Sequence, residues 1–175
     1  YFWLVFDRAY NIDVDGYVKQ FDHYFFNGMQ MQNKHYTILR FKHKTPFDVK
    51  LSKENTHWQV KLSSKVLTPS VFDINTHTIS DSGSTVLKIT TNEPSKTLRL
   101  IDPYIGDELM IIPVLEANHA ITQLQQFPDY HVLPSKQGVV MQLISDDIGV
   151  VEDDNSLMFK GPTASLPLKI VSVKH

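Results

Sequence analysis

The run Asn11-Ile12-Asp13-Val14-Asp15-Gly16 places side-chain oxygens at alternate positions ahead of a glycine. Val18 and Asp22 follow at the spacing by which an EF-hand loop wraps calcium. Two features weigh against the cation. The closing residue is Asp where such loops use a bidentate Glu, and the preceding segment reads as strand rather than helix. The ordinary reading of the same residues is a turn with an Asp N-cap.

Other carboxylates gather near turns. Asp146, Asp147, Glu152, Asp153, Asp154 and Asn155 surround a hairpin and have the chemistry to hold a hard cation, or simply to solvate the turn. Asp102 with Asp107 and Glu108 offers a carboxylate pair of the kind glycoside hydrolysis needs. Asp beside Pro and Gly is also ordinary turn chemistry. The histidines at 23, 35, 43, 57, 77, 119, 131 and 175 fall in no zinc spacing. G-x-S-x-G, G-x-G-x-x-G and P-loop patterns are absent, which removes the commonest local signs of hydrolase, dinucleotide and NTPase sites. Trp3, Tyr24, Phe25, Phe26 and Trp58 suit a glycan platform, but their alternation with polar residues places most of them in a core. The motifs thus assign no catalytic residue, no metal ligand and no cofactor, and leave any ligand-binding residues open.

Strands must position whatever these residues do. The densest apolar signal is 98–114, LRLIDPYIGDELMIIPV, read as two strands about the turn Asp102-Pro103-Tyr104-Ile105-Gly106-Asp107. Pro103 suits the second position of a turn, and Gly106 can take a positive φ. Pro113 lacks an N–H, so its strand should end, bulge or lie at an edge there. Period-two alternation marks further strands at 35–42, 47–51 and 57–62, then 71–79, 85–91 and 96–101, then 130–133, 138–144, 148–152 and 157–159. A last strand is expected over 166–173, and 116–127 is ambiguous. Tyr17, Val18, Phe21, Tyr24 and Phe25 share one helical face, which predicts a short helix near 16–26. Asp15 is its expected N-cap and Gly28 its terminator, with a strand through Tyr24-Phe25-Phe26 as the alternative. The cadence predicts an all-β antiparallel meander of short strands in four-stranded, propeller-like units, or else a twisted β-sandwich.

The 175 residues suffice for one sizeable core, so a single β-rich domain over 1–175 is expected. Hydrophobic residues make up 42%, which excludes a disordered chain. A net charge of −2 without a basic run argues against a nucleic-acid partner, whose phosphates need neutralising. There are no cysteines, so disulfide frameworks and thiolate metal sites are excluded. No apolar run approaches the ~20 residues that span a bilayer as a helix, so no transmembrane segment is expected. The opening Tyr1-Phe2-Trp3-Leu4-Val5-Phe6 lacks an initiator Met and reads as the interior of a strand, as in a fragment of a longer chain.

Trp3-Leu4-Val5-Phe6-Asp7-Arg8 resembles an opening strand of large exported alphaproteobacterial envelope proteins, often with tetratricopeptide repeats. Three later segments resemble the same region in the same order: 36–62 with Leu39-Arg40-Phe41 and Trp58-Gln59-Val60; Leu100-Ile101-Asp102-Pro103 with Gly106-Asp107-Glu108-Leu109; and Leu133-Pro134 with Gln137-Gly138-Val139-Val140. The opening strand is also distantly similar to AMIN-type envelope-targeting domains. The resemblance implies a periplasmic or envelope location and carries no catalytic residue. The expectation is a non-catalytic scaffolding or binding module with a protein or glycan partner in the envelope. The alternative is an envelope glycan or peptidoglycan hydrolase whose site is assembled from distant strands.

Overall fold

A computed structural model describes residues 1–78, 85–153, 155–162 and 169–170. The described chain is mostly strand with one short helix, so the all-β class holds. The chain divides into two compact units: Tyr1–Lys50 with Val60–Thr68, and Leu51–Gln59 with Pro69–His175.

In the first unit β1 (Phe2–Phe6) is followed by α1 (Val14–Gln20), β2 (Phe25–Met31) and β3 (Thr37–His43). The three strands form an antiparallel sheet in the order β1-β3-β2. Central β3 is buried from Thr37 through Phe41. Its register sets Phe2 beside Phe41 and Leu4 beside Leu39, which makes an apolar patch on one face. Ile12, Val14, Val18 and Phe21 pack on that face, which is the reason the helix forms where it does. Phe25 stacks on Phe41 with ring centroids 4.8 Å apart, and Phe47 meets Phe2 edge-on at 5.2 Å. The opposite face holds Arg40, only 3% exposed, with its guanidinium 3.3 Å from the Tyr1 ring centroid.

The helix is shorter and earlier than the periodicity predicts. Its N-cap is Asp13, not Asp15, and its C-cap is Phe21. Phe25 and Phe26 belong to β2, as the strand alternative has it. The apolar run serves two elements: Val18 and Phe21 end a helix, and Phe25 begins a strand against His43. Gly28 does not terminate the helix. It sits in β2, where an added Cβ would lie 2.8 Å from both Phe41 and Val14, so its small size lets α1 approach the sheet.

β4 (Asp48–Glu54) and β5 (His57–Ser63) make a two-stranded ladder, its turn carrying Asn55 at φ 55°. At the base, the buried Asp48 carboxylate accepts from the backbone N–H groups of Val49 and Leu67 at 2.9 and 2.8 Å.

The second unit contains β6 (Ser70–Val71), β7 (Asp73–Thr78), β8 (Thr85–Thr90), β9 (Leu98–Ile101), β10 (Glu108–Ile112), β11 (His119–Ala120), β12 (Gln125–Gln126), β13 (Tyr130–Leu133), β14 (Val139–Leu143), β15 (Gly149–Asp153), β16 (Ser156–Lys160) and β17 (Lys169–Ile170). β10 ends immediately before Pro113, and the ambiguous 116–127 stretch contributes only two two-residue strands. The last residue of the expected 71–79 strand and most of the expected 166–173 strand lie outside the described residues, as does Asp154.

Consecutive strands do not form consecutive sheets. The six-stranded sheet runs β17-β12-β13-β14-β10-β9, and the four-stranded sheet runs β15-β16-β8-β7. Each sheet joins an early hairpin to a late one. Antiparallel register aligns Ile74, Ile89 and Leu157 in one rung of the four-stranded sheet, and Leu87, Phe159 and Val150 in the next. On the six-stranded sheet Val132, Met141 and Met110 form the matching rung. These inward residues from both sheets belong to one core with Phe72, Ile112, Tyr130 and Val139. Period two explains the division: one face of each strand meets this core.

Candidate functional site

The residues singled out for chemistry are held apart by structural work. Asp13 Oδ1 accepts from Gly16 N–H at 3.0 Å, which caps α1 and aims the carboxylate at the helix start. The neighbouring backbone is strapped to the sheet. Gln30 Oε1 accepts from Ile12 N–H at 3.0 Å, and Thr37 Oγ1 accepts from Tyr10 N–H at 2.7 Å. Asp15 lies in the first turn of α1, and Asp22 follows the helix.

Asp102, Asp107 and Glu108 go three ways. Asp102 is buried, and its Oδ1 accepts from Tyr104 and Ile105 N–H at 2.9 and 3.3 Å. Its backbone closes the turn: Gly106 N–H reaches Asp102 O at 2.8 Å, and Asp102 N–H reaches Asp107 O at 2.9 Å. Asp107 Oδ2 accepts from Gln142 Nε2 at 2.8 Å, and Gln142 Oε1 lies 3.3 Å from His131 Nδ1. Glu108 stands 3.5 Å from Arg99, which also donates to the carbonyls of Asp146 and Ile148. Glu152 accepts from the Thr97 hydroxyl. Among the described residues no group of three or more His, Cys, Asp or Glu is placed to hold a metal ion. Trp58 lies on the β5 ladder with Lys53 Nζ 5.8 Å from its ring, while Tyr24 and Phe25 join the first unit's core.

The second unit gathers a polar cluster that no linear motif announces. Glu116 Oε1 lies 3.5 Å from His119 Nε2, and its other oxygen accepts from Asn92 Nδ2 at 3.0 Å. Gln137 ties the loop together, donating to the carbonyls of Val114 and Glu116 at 2.8 and 2.6 Å and accepting from His119 N–H. Asn118, at φ 64°, turns the chain between Glu116 and His119. The signal available was Glu116 three residues before His119, a spacing too common to single out.

The His119 ring rests on Phe72, centroids 5.5 Å apart. Phe72 in turn floors a hollow of about 270 Å³, with Ile74 and Ile121 beside it and Asp73, Thr122, Gln123 and Gln125 around it. At its edge Phe72 N–H bonds Ala120 O at 3.2 Å, continuing the β6–β11 pairing. Its lining is mixed: Val71, Phe72, Ile74 and Ile121 supply apolar atoms, and Asp73, Thr122, Gln123 and Gln125 supply a carboxylate, a hydroxyl and amides that can hydrogen-bond a polar ligand.

A third feature is the β9–β10 tip. Ile101, Tyr104 and Ile105 are 63%, 63% and 67% exposed on a turn held by the Asp102 bonds. No described helix is long and apolar enough to cross a membrane. Comparison with protein-family models, with curated proteins and with solved structures returned no match.

Proposed function

We propose that this chain is a non-catalytic scaffolding or binding module of an exported bacterial envelope protein, with a protein or glycan of the envelope as its partner. The observation that carries the reading is the amide-lined hollow over Phe72, Ile74 and Ile121. Its amides and hydroxyl suit recognition of a polyhydroxylated ring, while Asp13 and Asp102 are engaged in a cap and a turn and Asp107 by Gln142. The location rests on the resemblance of 3–8, 36–62, 100–109 and 133–140 to exported envelope proteins. Of the two finer architectures, the shared core of the six- and four-stranded sheets favours a twisted β-sandwich for the second unit over propeller-like units.

One observation favours a second reading. The Glu116–His119 pair, with its second oxygen held by Asn92, is the nearest approach to an acid–base pair among the described residues. An envelope glycan hydrolase would use such a pair beside a glycan-binding hollow.

The test is incubation with purified peptidoglycan sacculi, reading cosedimentation and soluble muropeptides together. The expected result is cosedimentation without release, weakened about tenfold by Gln123→Ala with Gln125→Ala. Release that Glu116→Gln abolishes would establish the hydrolase instead. Absence of cosedimentation would remove the glycan partner.

A further inference from the structure

We propose that two copies of this chain pair through β7, antiparallel about Asn75, and join their four-stranded sheets across a two-fold axis. β7 is the outermost strand of its sheet. Its inner edge pairs with β8 without a break, from Asp73 opposite Thr90 to Thr78 opposite Thr85. Its outer edge meets no other described strand. Asp73, Asn75, Thr76, His77 and Thr78 are all exposed.

Folded proteins blunt such edges with Lys, Pro, a bulge or a very short strand. Three other edges here carry one of these devices or a charge, whereas β1, Phe-Trp-Leu-Val-Phe, is an edge strand with none. β2 has a register shift between Phe25 and Asn27, β9 is four residues long and bears Arg99, and β15 bears Glu152. β7, Asp-Ile-Asn-Thr-His-Thr, has no Lys, no Pro and no bulge, and its one carboxylate, Asp73, is its first residue. The open backbone row supplies the hydrogen bonds for strand addition.

Self-complementarity identifies the occupant. Side chains alternate faces, so an antiparallel seam between identical strands must be centred on a residue. Centred on Asn75, it sets Asp73 opposite the partner's His77, twice by symmetry. It also sets Ile74 opposite the partner's Thr76, and no like charges meet. Centred on Thr76, it leaves Asp73 outside the paired residues. Asp73 Oδ1 already accepts from Asn75 Nδ2 at 2.8 Å, which leaves Oδ2 for the partner's His77. Asp73 also lines the hollow, so the seam places the partner's His77 beside it. A seam of five paired residues on each strand falls at the small end of interfaces, below ~1,200 Å². The dimer should therefore dissociate on dilution.

Sedimentation velocity on the 175-residue chain, from micromolar to submillimolar concentration, tests this. The expected parent is a reversible dimer. Asn75→Lys, which sets like charges face to face at the axis, should be monomeric with unchanged circular dichroism and melting. His77→Asp should raise the dissociation constant about tenfold, and the swap Asp73→His with His77→Asp should restore it. A parent that stays monomeric throughout overturns the proposal. So does a dimer that survives Asn75→Lys, which would sit on another surface. Failure of the swap to rescue refutes the Asn75 register, as pairing with a different edge or a foreign peptide would.

Discussion

Two glycines at positive φ separate backbone strain from steric overlap. Gly106 has φ 85° and Gly138 φ 73°, and both belong to the second unit. An alanine at either must hold a left-handed conformation, costing about 1–2 kcal/mol. Around Gly106 nothing lies within 4 Å of an added Cβ, so that cost stands alone. At Gly138 the Cβ would lie 2.8 Å from the Ile112 carbonyl oxygen and 3.5 Å from Pro113 Cα. Ile112 is pinned in β10 opposite Val139, and Gly138 O accepts from Ser135 Oγ at 2.6 Å, so neither side yields freely. The overlap should add a further ~1–2 kcal/mol, within the usual range for strained sites. With a urea m-value of about 2 kcal/mol/M, Gly106→Ala should lower the midpoint by roughly 0.5–1 M and Gly138→Ala by roughly 1–2 M. Asp107→Asn, which keeps an oxygen for Gln142, serves as a near-neutral control. Equal shifts for the two glycines would refute the steric part of the argument. A silent Gly106→Ala would show that the Asp102 turn does not enforce its φ.

Asp13→Ala removes the N-cap of α1 and should cost about 0.5–2 kcal/mol, read as a lower urea midpoint for the first unit. Because Asp13 Oδ1 is held by Gly16 N–H, millimolar calcium should leave the melting temperature unchanged. A rise of several degrees that Asp13→Ala removes would give the loop back to the cation. Leu157→Ala, fully buried in the rung with Ile89, should destabilise the second unit by about 2–5 kcal/mol by chemical denaturation. A loss under ~1 kcal/mol would mean that the two sheets do not close over it.

What was legible follows from the kind of signal each element carries. Strands with one face on a core announce themselves by period two, as β13 does with Tyr130 and Val132. The Asp102–Asp107 turn was legible because Pro103, Gly106 and an Asx side chain each have one good place in a turn. The helix boundary was not, because Tyr24 and Phe25 continue a helical stripe that β2 claims for its own pairing. Which strands are neighbours was not legible either. Alternation says which side chains face inward, and β8 reads the same whether Leu87 and Ile89 sit beside β9 or, as found, beside β16. The Glu116–His119 pair escaped notice because a loop turned by Asn118 has no period, and its partners Asn92 and Gln137 come from elsewhere in the chain.

The interleaving of hairpins has a consequence for synthesis and for dissection. When residue 115 has been made, β7–β8 and β9–β10 both exist, yet neither has the neighbour that extends its sheet. Those neighbours, β13–β14 and β15–β16, follow in the next stretch of chain, and β8 waits for Ser156–Lys160. Half of each sheet therefore stands open until nearly the whole unit has been translated. Closure over such separations carries a loop-entropy cost before any contact forms, which slows folding. Cleavage between β10 and β13 would yield two peptides, each carrying one hairpin of both sheets. Neither half of the second unit then has a core of its own, and each presents the strand edges that the other needs.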